Sequence, residues 1–226
     1  PVPAVFPEVE TAKDVSIADL KARFPGCKHI IGLIENLCAG NGNKADASVE
    51  WVLNWLACRF RWPERKPATA LVFISETQGV GKSTFGERVV KGLFGDYLRQ
   101  LDQNALESRF NAVLLFALVT IFEEISPSDE RMNIIGKLKN MITSDVIMVE
   151  RKGRDAEKHS DYNSYIIFSN DERSIPIESN DRRFMVSGCS RKFTDDMYAN
   201  LDAELKNGGI EEFAAFLCAL PLMYTN

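Results

Sequence analysis

The sequence has no apolar run long enough to cross a bilayer, a task that takes about 20 such residues in a helix. Its opening residues, Pro1-Val2-Pro3-Ala4-Val5, lack the basic region, apolar core and cleavage site of a secretory signal. The chain begins at proline instead of methionine, so we expect a piece cut from a longer protein. The five cysteines, Cys27, Cys38, Cys58, Cys189 and Cys218, are odd in number and form no C-x-x-C pair. That pattern speaks against a disulfide framework or a zinc site and fits a reduced, cytoplasmic protein. Positive charge is not in excess: the formal net charge is −5. Any nucleic-acid binding must then come from a local basic patch. Internal repeats and low-complexity tracts are absent as well.

What is present is ordinary in bulk. The chain has 226 residues, 45% hydrophobic and 26% charged. That suits a globular protein of one sizeable domain, or one domain with a small appendage.

The stretch Ala70-Leu71-Val72-Phe73-Ile74-Ser75 is apolar and β-compatible. Glu76-Thr77-Gln78-Gly79-Val80-Gly81-Lys82-Ser83-Thr84 follows, and Phe85 to Leu93 suits a helix. The order is strand, glycine-bearing loop, helix. Phosphate binding needs that order. Gly79 and Gly81 can take backbone angles that aim successive N–H groups inward. A helix N-terminus adds partial positive charge beneath them. Lys82 can reach outer phosphates, and the Ser83 hydroxyl can bind magnesium. Residues Thr77, Gln78, Gly79, Val80, Gly81, Lys82, Ser83 and Thr84 are therefore the candidate nucleotide cradle. Glu76 stands where the usual spacing has another glycine, and is compatible only if its side chain points away from the phosphates.

Before the loop, residues 1–15 read as a Pro-rich arm. Ser16 to Arg23, Lys28 to Cys38 and Asp46 to Arg61 read as helices, the last with Val49, Val52, Leu53, Leu56 and Phe60 on one face. Pro63 and Pro67 end that pattern, so we place a boundary between a helical segment, 1–66, and a core, 67–226. After the loop, Tyr97 to Gln100 suits a short strand and Ala105 to Phe110 a short helix. The uninterrupted apolar run Ala112 to Phe122 reads as a strand buried on both faces, as in a parallel sheet. Pro127 to Thr143 reads as a helix. Val146 to Glu150, Tyr165 to Phe168 and Arg183 to Val186 read as strands. Asp195 to Lys206 and Ile210 to Ala219 close the chain as helices. Strands alternating with helices imply an α/β layered core.

Four further groups can carry chemistry. Glu123-Glu124 ends the buried run, at the sheet edge where ligands bind. One carboxylate can hold magnesium while the other orients or deprotonates a water. Asn170 ends the next strand and can bond a phosphate or the attacking water, though Asn170-Asp171 equally suits a plain turn. Arg182-Arg183 can stabilise charge on a transferring phosphoryl group; as a lone pair, an ordinary surface is their default. Arg151, Lys152, Arg154, Lys158 and His159 fall in a nine-residue connection between two strands, with Tyr162 and Tyr165 nearby for base stacking. By charge alone this hairpin reads as solvated, because Asp155 and Glu157 dilute it.

The order Gly79-Val80-Gly81-Lys82-Ser83, Glu123-Glu124, basic hairpin, Ser169-Asn170, Arg182-Arg183 resembles superfamily 3 helicases. More narrowly, it resembles the helicase-like domain that follows a primase-polymerase in phage replication proteins. The likeness covers roughly residues 50–190. It implies an AAA+ P-loop NTPase core of three layers with a mainly parallel sheet, acting as a hexameric ring on ATP, Mg2+ and single-stranded DNA. It implies Lys82 and Ser83 as the Walker A pair, Glu123 and Glu124 as Walker B (Glu123 on the metal, Glu124 as the base) and Asn170 as sensor. Lys152, Lys158 or His159 would face the channel, and Arg182 or Arg183 would reach a neighbour's ATP. It also implies a linked primase-polymerase domain and a place in the host cytoplasm. Ser144 stands where the segment before the hairpin often has glycine. Two rival readings are a phosphotransferase acting on a small molecule, and a ring that binds ATP and DNA without unwinding.

Overall fold

The computed structural model describes residues 15–108, 111–123, 131–171, 177–178, 181–189 and 191–222. Three helices come first: α1 (Ile17–Arg23), α2 (Lys28–Cys38) and α3 (Ala45–Arg61). Ser16 caps α1 by accepting from the Asp19 N–H while Asp19 bonds back, a reciprocal capping box. Strand β1 (Ala70–Ile74) leads through the glycine loop into a continuous helical rod. The rod is made of α4 (Lys82–Thr84), a π-helical turn (Phe85–Val90) and α5 (Lys91–Phe94). Next come β2 (Leu98–Leu101), α6 (Gln103–Glu107), β3 (Val119–Phe122) and α7 (Arg131–Thr143). Strands β4 (Val146–Val149) and β5 (Glu157–Ser160) form an antiparallel hairpin, and β6 (Ser164–Ser169) and β7 (Phe184–Gly188) complete the strands. Helices α8 (Asp195–Lys206) and α9 (Gly209–Ala219) end the described chain.

The main sheet has the order β2-β3-β6-β1-β7, and every pairing in it is parallel. All five residues of β1 are buried, as are all six of β6. Side chains of a strand alternate between faces, and here the alternation makes three layers. Leu71 and Phe73 of β1 join one apolar cluster with α2, α3, α9 and the rod after the loop. Ala70, Val72 and Ile74 join a second with Ile134, Ile135, Leu138 and Ile142 of α7. The core is thus a P-loop NTPase-like α/β sandwich. Phe73 marks its centre: its ring meets Phe85 at 5.8 Å and Phe168 at 6.2 Å, and none of it is exposed. Truncating such a ring to Ala costs about 3–5 kcal/mol. Residues from both sides of position 66 share the first cluster, from Leu53 and Leu56 to Phe85 and Phe216.

Several expectations are corrected. The run Ala112 to Phe122 is not one strand. Ala112–Leu114 forms a 3-10 turn, and only Val119–Phe122 pairs in the sheet. Between them Phe116 takes φ 60° and is 81% exposed, a backbone region that L side chains seldom visit. The run carries no glycine or proline, so nothing local marks the turn. Tyr165 is not available for base stacking. It is 1% exposed, stacks on Phe122 at 6.0 Å and donates to Asp161, and burial pushes its pKa up. Glu157, Lys158 and His159 lie on β5, not in the turn. Residues 1–14 and 127–130, expected as an arm and a helix start, lie outside the described residues.

Candidate active site

The parallel sheet sends the C-terminal ends of β1, β3 and β6 to one edge, with β6 between the other two. Sequence-distant groups meet there. Gly79 and Gly81 have φ +75° and +101°, values that cost glycine little. Gly81 has a second constraint, because a Cβ on it would lie 2.4 Å from Leu33 Cδ1. Residues Thr77 to Thr84, Asn170 and Tyr198 line an open cavity of about 250 Å³. Ser83 is exposed at its rim. Glu76 is exposed, does not line the cavity and has no positive φ, so this position does not demand glycine.

Lys82 is the hub. Its Nζ donates to Ser75 O at 3.2 Å, Ser169 O at 2.9 Å and Asn170 Oδ1 at 2.8 Å. Partial burial lowers its pKa, because desolvation disfavours the charged form. An ammonium held only by neutral acceptors is ready to exchange one of them for a phosphate oxygen. The residues present fit a bound nucleoside triphosphate: glycine-loop residues, a cation and a hydroxyl-bearing side chain line one cavity. Glu123 follows β3, its N–H bonds Leu101 O at 2.9 Å, and its carboxylate accepts from Gln100 Nε2 at 3.3 Å. Glu123 and Ser83 carry the oxygen donors that a magnesium ion would need. Glu124 lies outside the described residues.

Three residues around the loop carried no signal strong enough to be singled out from the sequence. Asn36 of α2 donates to Val80 O and to Arg191 O, both at 2.9 Å. Phe193 N–H donates to Gly79 O at 2.9 Å, which lays Lys192 across Gly79, its Cε 3.5 Å from where a Cβ would stand. Tyr198 OH points at the same carbonyl at 3.5 Å and its ring packs edge-on against Phe193. For Asn36 a hint existed: an amide on the apolar face of a helix needs partners.

Arg182 and Arg183 are not brought to this cavity. They precede β7, whose Phe184 pairs with Ala70 at the start of β1. The phosphate loop leaves the other end of β1, about 16 Å away at 3.3 Å per residue. The two arginines also differ from each other. Arg183 grips Asp181 through Nε at 2.8 Å and Nη2 at 2.9 Å, and Asp181 also takes Lys139 Nζ at 2.9 Å. The guanidinium holds the Asp181 carboxyl well below the usual carboxylate range. Arg182 is exposed and has no side-chain ion pair among the described residues.

The hairpin projects its basic residues outward. Lys152 and Arg154 are exposed at the tip, Arg151 is half-buried, and Gly153 turns the chain with φ +76°. Lys158 is opposite Met148, and His159 is opposite Ile147. Neighbours on a strand face opposite sides, so Lys158 and His159 serve different faces of the hairpin. Met148 and Tyr162 are 54% and 48% exposed.

The fold and the loop define the class, a P-loop NTPase-like core. Relatives then narrow it. The chain is homologous to the DNA primase-polymerase of Nitratiruptor phage NrS-1, with 27% identity over 198 residues, 85% of this chain. It spans only 27% of that relative's length. Two apo structures of the NrS-1 C-terminal region superpose with TM-scores of 0.71 and 0.68. Each is 26% identical, covering 84% and 85% of this chain and 46% and 45% of theirs. Residues 73–183 match the model of a family of unknown function, DUF5906. No described helix is long and apolar enough to cross a membrane.

Proposed function

We propose that the chain is the ATP-hydrolysing motor of a phage replication protein, a single-stranded DNA translocase or helicase. The observation that carries this reading is the contact of Lys82 with Asn170. It joins the phosphate loop to a neutral amide just after the adjacent strand β6, with the basic hairpin at that strand's other end and Glu123 at the end of the neighbouring β3. Homology to a phage primase-polymerase supports the replication setting and a linked primase-polymerase domain.

When bound, magnesium would neutralise phosphate charge and ATP would supply the phosphoryl group. Lys82 would hold the outer phosphates, Ser83 and Glu123 the metal, Glu124 the attacking water's proton and Asn170 the water's orientation. Arg182 and Arg183 lie by the start of β1, away from the phosphate loop at its other end, so an arginine finger from this segment would act on a neighbouring subunit, as in a hexameric ring. Arg182 suits that role because Arg183 is occupied by Asp181. Lys152, Arg154, Lys158 and His159, with Arg151 at the turn, would contact the DNA backbone. The deciding experiment measures ATP hydrolysis with and without single-stranded DNA, beside a strand-displacement assay. Hydrolysis stimulated by DNA supports the motor. Stimulation by a small-molecule acceptor in place of DNA supports a phosphotransferase, and binding of ATP and DNA without displacement supports a clamp.

A further inference from the structure

Two buried cations from the helical segment reach across the sheet to the base of the hairpin. Lys66 follows α3, and its side chain is 5% exposed. All three of its donor directions are used: Met141 O at 2.6 Å, Ser144 O at 2.8 Å and Asp161 Oδ2 at 2.6 Å. Met141 and Ser144 are at the C-terminal end of α7, where free carbonyls attract a cation. Asp161 is the residue just after the hairpin, 4% exposed at its side chain. Its own N–H closes the hairpin on Asp145 O at 2.8 Å, and its other oxygen accepts from Asn163 N at 3.0 Å. Arg59, wholly buried, donates to Tyr162 O at 2.8 Å and Leu118 O at 3.4 Å. It thereby ties the starts of β3 and β6 together.

Strand β6 starts three residues after Asp161 and ends one residue before Asn170. One extended segment, about 20 Å long at 3.3 Å per residue, therefore has the hairpin base at one end and the Lys82 contact at the other. A rod transmits displacement only if it is fixed to what it moves. The apolar surroundings make the Lys66 fixation costly to open, because either charge left alone there is poorly solvated.

We propose that Lys66 is a positioning residue that locks the hairpin base to β6 and α7, so that the nucleotide state sensed at Asn170 moves the hairpin as one body. This rests on the motor reading above. Lys66 is buried and does not line the phosphate-loop cavity; it acts through Asp161.

The test uses Lys66→Met, the double variant Lys66→Met with Asp161→Asn, and Lys66→Arg. Each is compared with the unsubstituted chain for thermal midpoint, ATP turnover without DNA, and turnover at saturating single-stranded DNA. Lys66→Met alone lowers the thermal midpoint, because it strands the Asp161 carboxylate. The double variant removes both charges, keeps an acceptor for Asn163 N–H, and recovers most of the midpoint. Its turnover without DNA stays within about twofold, but stimulation by saturating DNA falls about tenfold, a coupling loss within the usual range between two sites. Lys66→Arg keeps the charge but offers a planar fork instead of three diverging donors, and also loses stimulation. A role confined to stability predicts full stimulation once the midpoint is restored. Full stimulation in either folded variant overturns the proposal. If the unsubstituted chain shows no DNA response, or Lys82→Ala still hydrolyses ATP, the motor reading fails and takes this inference with it. A DNA response that depends on Lys82 but ignores Lys66 removes the inference alone.

Discussion

The Lys82 ammonium sits 2.8 Å from Asn170 Oδ1. The two residues are 88 positions apart in sequence and meet because β6 lies beside β1 in parallel register, Ile74 opposite Ser169. Each has a separate consequence for turnover. Lys82→Ala should abolish nucleotide binding or hydrolysis. Asn170→Ala should leave binding near normal and lower the maximal rate by about 10²–10³, the effect of losing one donor aimed at a reacting group. Equilibrium binding of a fluorescent ATP analogue beside steady-state turnover separates the two. Unchanged turnover in Lys82→Ala would remove the phosphate-loop assignment.

The two carboxylates should divide the work. Glu123 is held beside Gln100 at the strand end, which suits a metal ligand. Glu124→Gln should keep ATP bound and stall hydrolysis, since the base is lost and the metal ligand stays. Glu123→Gln should raise the magnesium concentration needed for half-maximal turnover. A magnesium titration of both variants checks this. The roles are exchanged if the shift follows Glu124.

Lys158 and His159 face opposite sides of β5, so they should not act alike on one DNA strand. Lys152→Ala and Lys158→Ala should each weaken single-stranded DNA binding. Each lost phosphate contact should flatten the slope of log affinity against log salt by about 0.7. His159→Ala should change that slope less than Lys158→Ala, if Lys158 and Met148 form the channel face. Fluorescence anisotropy across a salt series provides the slopes. Equal slopes in all variants would return the hairpin to a solvated surface.

Arg182 and Arg183 should fail in different ways. Arg183→Ala removes one of the two cations paired with a carboxylate that is 3% exposed, leaving Lys139 alone on it, so its first effect should be on stability. Arg182→Ala should leave stability and ATP binding near normal and lower turnover about 10³-fold or more, as for an arginine supplied across an interface. Mixing Arg182→Ala with Lys82→Ala subunits should restore some turnover, because some interfaces then join an intact loop to an intact finger. Dilution to monomers should abolish the regained activity. Mixed oligomers that form and stay inactive would exclude action in trans.

Much of this was written locally. Gly79, Gly81, Lys82 and Ser83 between a β-compatible run and a helix-compatible one need only a few neighbouring residues to be recognised, and the positive φ of both glycines follows from that turn. Helix α2 (Lys28–Cys38) and helix α8 (Asp195–Lys206) have the bounds read from the sequence. Other features depend on partners far along the chain. The run from Ala112 to Phe122 has no punctuating residue, so only pairing of Leu118 N–H with Tyr97 O at 2.9 Å shows where the strand begins. Tyr165 looked like a surface aromatic until β3 and α7 covered it. The difference between Arg182 and Arg183 is set by Asp181 and Lys139, and the burial of Lys66 by a hairpin base nearly a hundred residues downstream. Turn chemistry and apolar period act over a few residues, so sequence alone determined the loop and most of the elements. Which charged groups are desolvated, and against what, depends on strand order and helix packing, so only the tertiary structure decided that.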